Sequence, residues 1–536
     1  MTARCPVCGT EAATGDRFCE IDGAALAPAA VGARVASGAC PQCGARDADD
    51  GDGFCTTCGH RLPHDQLATE PPPAGLPPGA EIAGRVVERE GPSGSVWARG
   101  ADGLALVVRG DGPALDLEGA ALGALVGDPR AAKVRARVHD RHAGEALVLA
   151  SAEGAEVSSL PAEKLTDACA SVVELAALLE SAGYGAAPAA GDIVVANDGT
   201  VRLLRLRGAA TLPAGKRLDP RPFLAALGAE MPLAWIAAPV AAVRLITACR
   251  RGALSAPRDL DAARVELARA RDTVVAKGTI GAAADPGLVR DHDQDATAYA
   301  AGEGWAVLVV CDGVSSSTRS AEASALAARI TRDALAHFAR SPDVDFEAAG
   351  GAVATSIRAA HIAVCGELGG GEESDLPGTT IVAALVHRGR VTVGWVGDSR
   401  AYWVAPGGVE LLTRDHSWVT EVVAAGVMDE ATARRAPEAH VITRCLGPLE
   451  VGATIAEAEP DVRGRELPGR GVLVVCSDGL WNYADPPSEL ARVFRAIPPD
   501  TSAEGVARAL VAFAISRGGS DNVSVVAYQH GSARAW

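Results

Sequence analysis

The sequence predicts a multidomain α+β protein, and three observations predict it. The chain has 536 residues, more than one hydrophobic core ordinarily spans. Seven of its 13 Cys lie before residue 60. From about residue 270, long apolar runs end in Asp and alternate with segments whose apolar residues recur every three to four positions. With 48% apolar residues the chain can pack several interiors, and global disorder is excluded. A net charge of −17 argues against whole-surface binding to nucleic acid or an anionic membrane, because phosphate binding needs clustered cations. The sequence opens on no basic-then-apolar leader pattern. Its best membrane candidate, residues 231–243, is short and contains Pro232 and Pro239, so it reads as a buried helix. A cytoplasmic protein with no nucleic-acid or membrane partner is expected.

Residues 1–65 carry the early cysteines. Cys40-Pro-Gln-Cys43 and Cys55-Thr-Thr-Cys58 form two CxxC pairs across a short loop, the spacing that sets four thiolates around a tetrahedral zinc. Cys5-Pro-Val-Cys8 and Cys19 repeat the pattern, with Asp22 where a fourth Cys is expected. Two structural Zn2+ sites are expected, held by Cys5, Cys8, Cys19 and Asp22 and by Cys40, Cys43, Cys55 and Cys58. Both units resemble tandem zinc ribbons, which implies folding and docking of a protein partner and no catalysis. The other six Cys are scattered and read as small buried hydrophobes.

Residues 66–79 are a Pro-rich spacer. Residues 80–262 form a mixed α/β region. Residues 82–88, 94–99 and 104–109 read as strands, 164–181 as a helix, and 192–204 as a hairpin turning at Asp198-Gly199. That order resembles a protein kinase fold. The segment Gly91-Pro-Ser-Gly-Ser-Val-Trp-Ala98 looks like a degraded glycine-rich loop, and Val107 falls where the family's phosphate-pairing Lys would be. Residues 183–192 lack the catalytic His-Arg-Asp, and Arg205-Leu206-Arg207 stands where Asp-Phe-Gly would lie. The resemblance implies a pseudokinase-like module that binds or regulates, and an unrelated α/β adaptor is the other reading.

Residues 268–532 carry the chemistry. Trp305–Cys311 runs into Asp312-Gly313, residues 391–396 into Gly397-Asp398-Ser399-Arg400, and Gly471–Cys476 into Ser477-Asp478-Gly479; Asp521-Asn522 opens the run 523–528, and Asp295 follows Arg290. Runs this apolar are buried strands, so each terminal carboxylate sits at the mouth of a core. An ionised Asp there is costly unless a cation meets it. One could be a turn residue; five suggest a shared cation. Oxygen ligands select Mn2+ or Mg2+, and several carboxylates around one cleft suit two ions about 3.5–4 Å apart bridging a water. Arg290 is the candidate to grip a phosphate through paired hydrogen bonds; a surface ion pair is its alternative.

These motifs, in this order, are similar to the metal-dependent protein phosphatase (PPM, type 2C) family over about residues 272–530. The likeness rests on Gly287-Leu-Val-Arg290, Asp293-Gln-Asp295, Asp312-Gly313, Gly378-Thr379-Thr380, Val396-Gly-Asp-Ser-Arg-Ala401, Leu412-Thr-Arg-Asp-His-Ser417, Val441-Ile-Thr-Arg-Cys-Leu-Gly447, Ser477-Asp478-Gly479 and Ser520-Asp521-Asn522. It implies an α-β-β-α sandwich of two antiparallel sheets. It also implies that Asp295, Asp312, the Gly313 carbonyl, Asp478 and Asp521 hold two Mn2+ or Mg2+ ions, that Asp398 helps hold a third, and that Arg290 binds phosphate. Residues 419–444 resemble the flap of bacterial members, helical in pattern with breaks at Gly426 and Pro437. Val314 stands where some members have a proton-donating His, so a metal-bound water is the expected donor to the leaving group. His292, His416 and His440 read as cleft-side or structural histidines. The expected function is hydrolysis of phosphoserine or phosphothreonine on a phosphoprotein substrate by a metal-bridging hydroxide. The alternatives are a non-catalytic regulatory scaffold and a phosphatase acting on a partner-switching anti-sigma antagonist.

Overall fold

The computed structural model describes residues 3–4, 11–12, 76–82, 84–91, 95–110, 112–140, 144–150, 157–195, 200–213, 215–228, 231–271, 278–314, 317, 319–341, 344–369, 376–448 and 458–531. The predicted zinc ligands Cys5, Cys8, Cys19, Asp22, Cys40, Cys43, Cys55 and Cys58 lie outside these residues. The chain divides into two compact units, residues 34–273 and residues 1–33 with 274–536.

In the first unit, a six-stranded antiparallel sheet runs in the order Glu81–Ile82, Arg85–Glu90, Val96–Gly100, Gly103–Arg109, Gly144–Ala150, Val134–Asp140. The helix Gly112–Ala124 is inserted after the fourth strand. Val107 is fully buried in mid-sheet, between Val96 and Val148, so no cation could stand there without a partner. The helix Leu165–Ser181 lies close to the predicted span. The hairpin Ile193–Val195 and Val201–Leu203 also forms, and its predicted turn at Asp198-Gly199 lies outside the described residues. The expected single helix over 231–243 is instead a 3-10 turn, Leu233–Ala237, and a separate helix, Val240–Arg251. Ala238, which precedes Pro239, is extended, because a residue before proline avoids helical angles, and Pro239 then caps the second helix.

An ion pair binds this unit across 87 positions of sequence. Arg205 donates to both carboxylate oxygens of Glu118 at 3.2 Å, and the Leu206 N–H donates to the same carboxylate at 3.0 Å. Both side chains are under a tenth exposed. Removing one member of a buried pair leaves a charge facing apolar surroundings, at a cost of about 3 kcal/mol. Glu118→Ala is therefore expected to lower the melting temperature of this unit by several degrees in calorimetry, while Glu88→Ala on the exposed edge changes it little.

The second unit is a four-layer sandwich. One five-stranded sheet runs Ile280–Asp285, Val523–His530, Gly471–Cys476, Arg400–Ala405, Gly408–Leu411; the other runs Ala296–Gly302, Trp305–Cys311, Ile381–His387, Arg390–Val396, Asp461–Glu466. Every pairing is antiparallel. Leu308, Val310, Val382, Ala384 and Trp395 of the second sheet meet Trp403, Leu473, Val475 and Val526 of the first. Alternate residues of the second sheet, Val307, Val309, Cys311, Ala383 and Leu385, face outward beneath the helices Ser320–Phe338 and Phe346–Leu368. Pro487–Ala496 and Ala503–Arg517 cover the first sheet. Burial on both faces explains why these strands are apolar without alternation. Phe346–Leu368 is long and apolar enough to cross a membrane, yet its buried side packs on the sheet.

Candidate metal centre

Register gathers the strand-terminal aspartates at one end of the sandwich. In the second sheet Ala296 pairs with Cys311 and Ile381 with Val396, so Asp295, Asp312, Thr380 and Gly397 share one end. In the first sheet Cys476 lies between Val525 and Arg400, which places Asp478 and Asp521 together. Gly397-Asp398-Ser399 carries the chain from one sheet to the other.

Six of the seven candidate residues, Arg290, Asp312, Gly313, Asp398, Asp478 and Asp521, line one cleft of about 910 Å3. Asp295 is in its wall: both carboxylate oxygens are shielded from solvent and have no hydrogen-bond partner among the described residues. Burial pushes Asp295 up to about 7, opposed by the Ser477 and Ser524 hydroxyls, which approach it without reaching hydrogen-bond geometry, and reinforced by Asp293 and Asp521. Burial likewise pushes Asp398 up to about 7, with Asp415 adding and Arg400 opposing. Asp312 and Asp478 are raised further, by burial first and then by the other carboxylates of the cluster. Among the described residues no three acidic, His or Cys side chains form a preformed metal shell. An orphaned buried carboxylate among others that repel it is the donor set a hard divalent cation fits. The residues present fit such ions.

Polar neighbours fix Asp312, Asp398 and Asp521. The Asp312 N–H donates to Thr380 Oγ1 at 3.1 Å, and its carbonyl accepts from the Thr380 N–H at 2.8 Å and Thr379 Oγ1 at 3.0 Å. Thr380 Oγ1 lies 2.8 Å from Ser399 Oγ, beside Asp398. Trp481 Nε1 donates to the Asp398 carbonyl at 2.9 Å. Arg290 binds Asp521 through Nε and Nη2, both at 2.9 Å. Burial would depress that guanidinium, but Asp521, Asp478 and Asp312 hold it above its ordinary value. The turn carrying Arg290 is seated by Asn522, whose Nδ2 donates to the carbonyls of Pro286 at 3.0 Å and His292 at 2.9 Å, and whose Oδ1 accepts from Gln294 N–H at 2.8 Å. Gly287 makes this seat at φ +80; a Cβ there would lie 2.3 Å from the Asp521 carbonyl oxygen.

The histidines divide. His416 is buried, accepts the Gly397 N–H at Nδ1 (3.1 Å), and lies 3.3 Å from Asp461 through Nε2. It therefore braces the Asp398 turn from behind. His440 lines the outer cleft. Residues 419–444 are helical in pieces, Trp418–Ala424, Glu430–Ala433 and the 3-10 turn Pro437–His440, broken at Gly426 and Pro437 as the sequence predicts. Gly426 at φ +68 and the Asp429 cap end the first and start the second. Val419, Val423, Val441 and Ile442 from this segment wall the cleft. The roles of Asn522, Thr380, Trp481 and Arg400 were missed by sequence reasoning. For Asn522, Trp481 and Arg400 the signal is position, each within four residues of a strand-terminal Asp; Thr380 reaches Asp312 only through the tertiary fold.

A sequence profile of the protein phosphatase 2C family matches residues 289–513. The serine/threonine protein phosphatase PstP of Mycobacterium tuberculosis is 30% identical over 260 residues, 48% of this chain and 45% of that protein. The serine/threonine phosphatase stp of Listeria monocytogenes is 26% identical over 247 residues, 45% of this chain and 92% of that one. The chain thus spans about half the length of the mycobacterial relative. A solved catalytic domain of PstP, in complex with two manganese ions, is 27% identical; the match covers 47% of this chain and 97% of that chain, with a TM-score of 0.37.

Proposed function

From a PP2C-type (PPM) phosphatase domain in the C-terminal half as premise, we propose that the chain is a protein serine/threonine phosphatase dependent on Mn2+ or Mg2+. The observation that carries it is the convergence of Asp312, Asp398, Asp478 and Asp521 on one cleft, with Asp295 within electrostatic reach of them and Arg290 bonded to Asp521. When bound, two divalent ions would neutralise the carboxylates and make a water acidic enough to attack phosphorus near neutral pH. Asp295, Asp312, Asp478, Asp521 and the Gly313 carbonyl would hold them, with Asp398 at the edge of a third position. Arg290 keeps a planar fork at the cleft, 45% exposed and oriented by Asp521, suited to two phosphoryl oxygens. Val419, Val423 and Ile442 exclude water from the side chain bearing the phosphate.

The topology of the 85–150 sheet, with its inserted helix, and the Glu118–Arg205 pair support reading residues 80–262 as a degenerate kinase-like module. Arg205 occupies the partner role at Glu118 that a strand lysine at 107 would take. The two cysteine groups of residues 1–65 are proposed as structural zinc ribbons that dock a protein partner.

The test is hydrolysis of p-nitrophenyl phosphate and of a phosphothreonine peptide by the full chain with and without Mn2+. Turnover that requires the ion supports the reading; none with any divalent ion overturns it and leaves a binding scaffold. Arg290→Ala is expected to raise KM for the phosphopeptide about tenfold or more while kcat falls less, since a charge-assisted pair is worth about 1.5–3 kcal/mol.

A further inference from the structure

At the end of the sandwich opposite the aspartates lies a groove of about 690 Å3 between the outer strands of the two sheets. The strand Arg390–Val396 separates the two ends, about 20 Å at ~3.3 Å per residue. Four arginines line the groove, Arg388, Arg390, Arg463 and Arg465, against two carboxylates, Glu410 and Glu466. That is a local cationic excess in a chain of net charge −17.

The groove is built in three ways. Glu410, on one outer strand, binds Arg463 at 3.1 Å and also Arg465, both on the other outer strand. One carboxylate thus orients two guanidinia, and each keeps spare N–H donors. Arg388 has no ion pair or side-chain hydrogen bond among the described residues. It sits at φ 46 in the two-residue turn before Gly389 at φ +78, a position where Asn or Gly is the low-strain choice. Backbone strain at an arginine that bonds nothing inside the fold points to a role outside it. Finally, Asp461–Glu466 is the last strand of its sheet, and among the described residues no strand pairs with its outer edge.

We propose that this groove is a docking site for an extended acidic peptide segment of a partner protein, added as a strand beside Asp461–Glu466. Arg463 and Arg465 are two residues apart on one strand, so both point to the same face. Carboxylates at alternate positions of an added strand share that repeat of about 6.6 Å. Arg388 and Arg390 cap the peptide's end at the turn. The site is remote from the aspartate cleft, and its occupancy is read without turnover, so failure of the phosphatase reading leaves the test intact.

The probe is a fluorescein-labelled peptide of alternating Glu and Thr, its control alternating Lys and Thr, titrated by anisotropy against the full chain. The acidic peptide is expected to bind, more weakly at high salt, and the basic one not. Arg388→Asn with Arg463→Gln is expected to weaken binding at least about tenfold, with p-nitrophenyl phosphate turnover and melting temperature unchanged. Asn relieves the turn rather than straining it. Glu410→Gln is expected to tighten binding by removing a competing carboxylate. Equal affinity across these variants overturns the proposal. So does a double variant that only self-associates more, which would mean that the arginines merely guard a sheet edge. Binding of a single-stranded oligonucleotide in preference to the acidic peptide overturns it as well.

Discussion

Asp478→Asn is expected to abolish Mn2+-dependent turnover and, in the same protein freed of divalent ions, to raise the melting temperature. The two effects have one cause. Asp478 is half-buried beside Asp521, Asp398 and Asp295, and desolvation first, then those carboxylates, push its carboxyl far above the ordinary range. The fold thus holds a charge that it destabilises, and only a cation recovers the cost. Asn has nearly the same shape and no charge, so it relieves the cation-free fold and cannot serve as an anionic ligand. A loss of at least about a thousandfold in kcat corresponds to about 4 kcal/mol of barrier. The gain in stability reads as about 2–4 °C for each kcal/mol relieved. Turnover assays and calorimetry in EDTA measure the two halves. A variant that is both inactive and less stable without ions would show the carboxylate to be structural.

The same cluster fixes the sign of the pH dependence. Asp295 and Asp398 are raised to about 7 in the fold and return to about 3.9 in the unfolded chain. Between those values the folded state binds more protons than the unfolded state, so stability of the ion-free protein rises as pH falls from about 7 towards 4. The penalty is fully present above pH 7. For one such group it is at most about 4 kcal/mol, because each tenfold in protonation is about 1.4 kcal/mol. With Mn2+ bound the carboxylates stay ionised, and the dependence flattens over that range. Melting curves at about pH 5 and pH 8, in EDTA and in Mn2+, check both slopes.

How far the site was legible follows from what buries it. Trp305–Cys311 and Gly471–Cys476 are covered on both faces, so every position is apolar and the first Asp after each run stands out. Asp295 was legible as a ligand but not as the wall residue it is, because its seclusion comes from Ser324 binding the Gln294 carbonyl at 2.6 Å and from Asn522, both remote in sequence. Nothing local in the sequence pairs Glu118 with Arg205; the tertiary contact alone brings them together. The predicted helix over 231–243 failed for a local reason, a proline that the apolar count outweighed. The breaks of residues 419–444 at Gly426 and Pro437 were legible; the Asp429 cap that starts the second piece through the Thr432 N–H at 2.9 Å was not, because periodicity does not register side-chain capping.

Arg400 is expected to be the costliest single loss in the C-terminal unit. Its side chain is 6% exposed. It forks Asp415 at 2.9 and 2.7 Å, reaches Asp485 at 3.3 Å and Tyr402 Oη at 3.2 Å, and stacks 3.7 Å from the centre of the Trp481 ring. Arg400→Ala leaves Asp415 without that fork and Asp485 with Arg434 at 3.0 Å, beside an already repelling Asp398. Stranding buried charge costs about 3–5 kcal/mol, a fall of roughly 10 °C. Trp481, no longer held by the stack, also loosens its bond to the Asp398 carbonyl, so the loss reaches the cleft without touching a ligand. Arg400→Lys keeps the charge but neither the fork nor the planar stack, and about half the loss should remain. The decisive comparison is Arg400→Ala with Asp415→Asn. If the cost is an orphaned carboxylate, the double variant unfolds at higher urea than Arg400→Ala alone. If the cost is lost packing against Trp481, the second substitution recovers nothing.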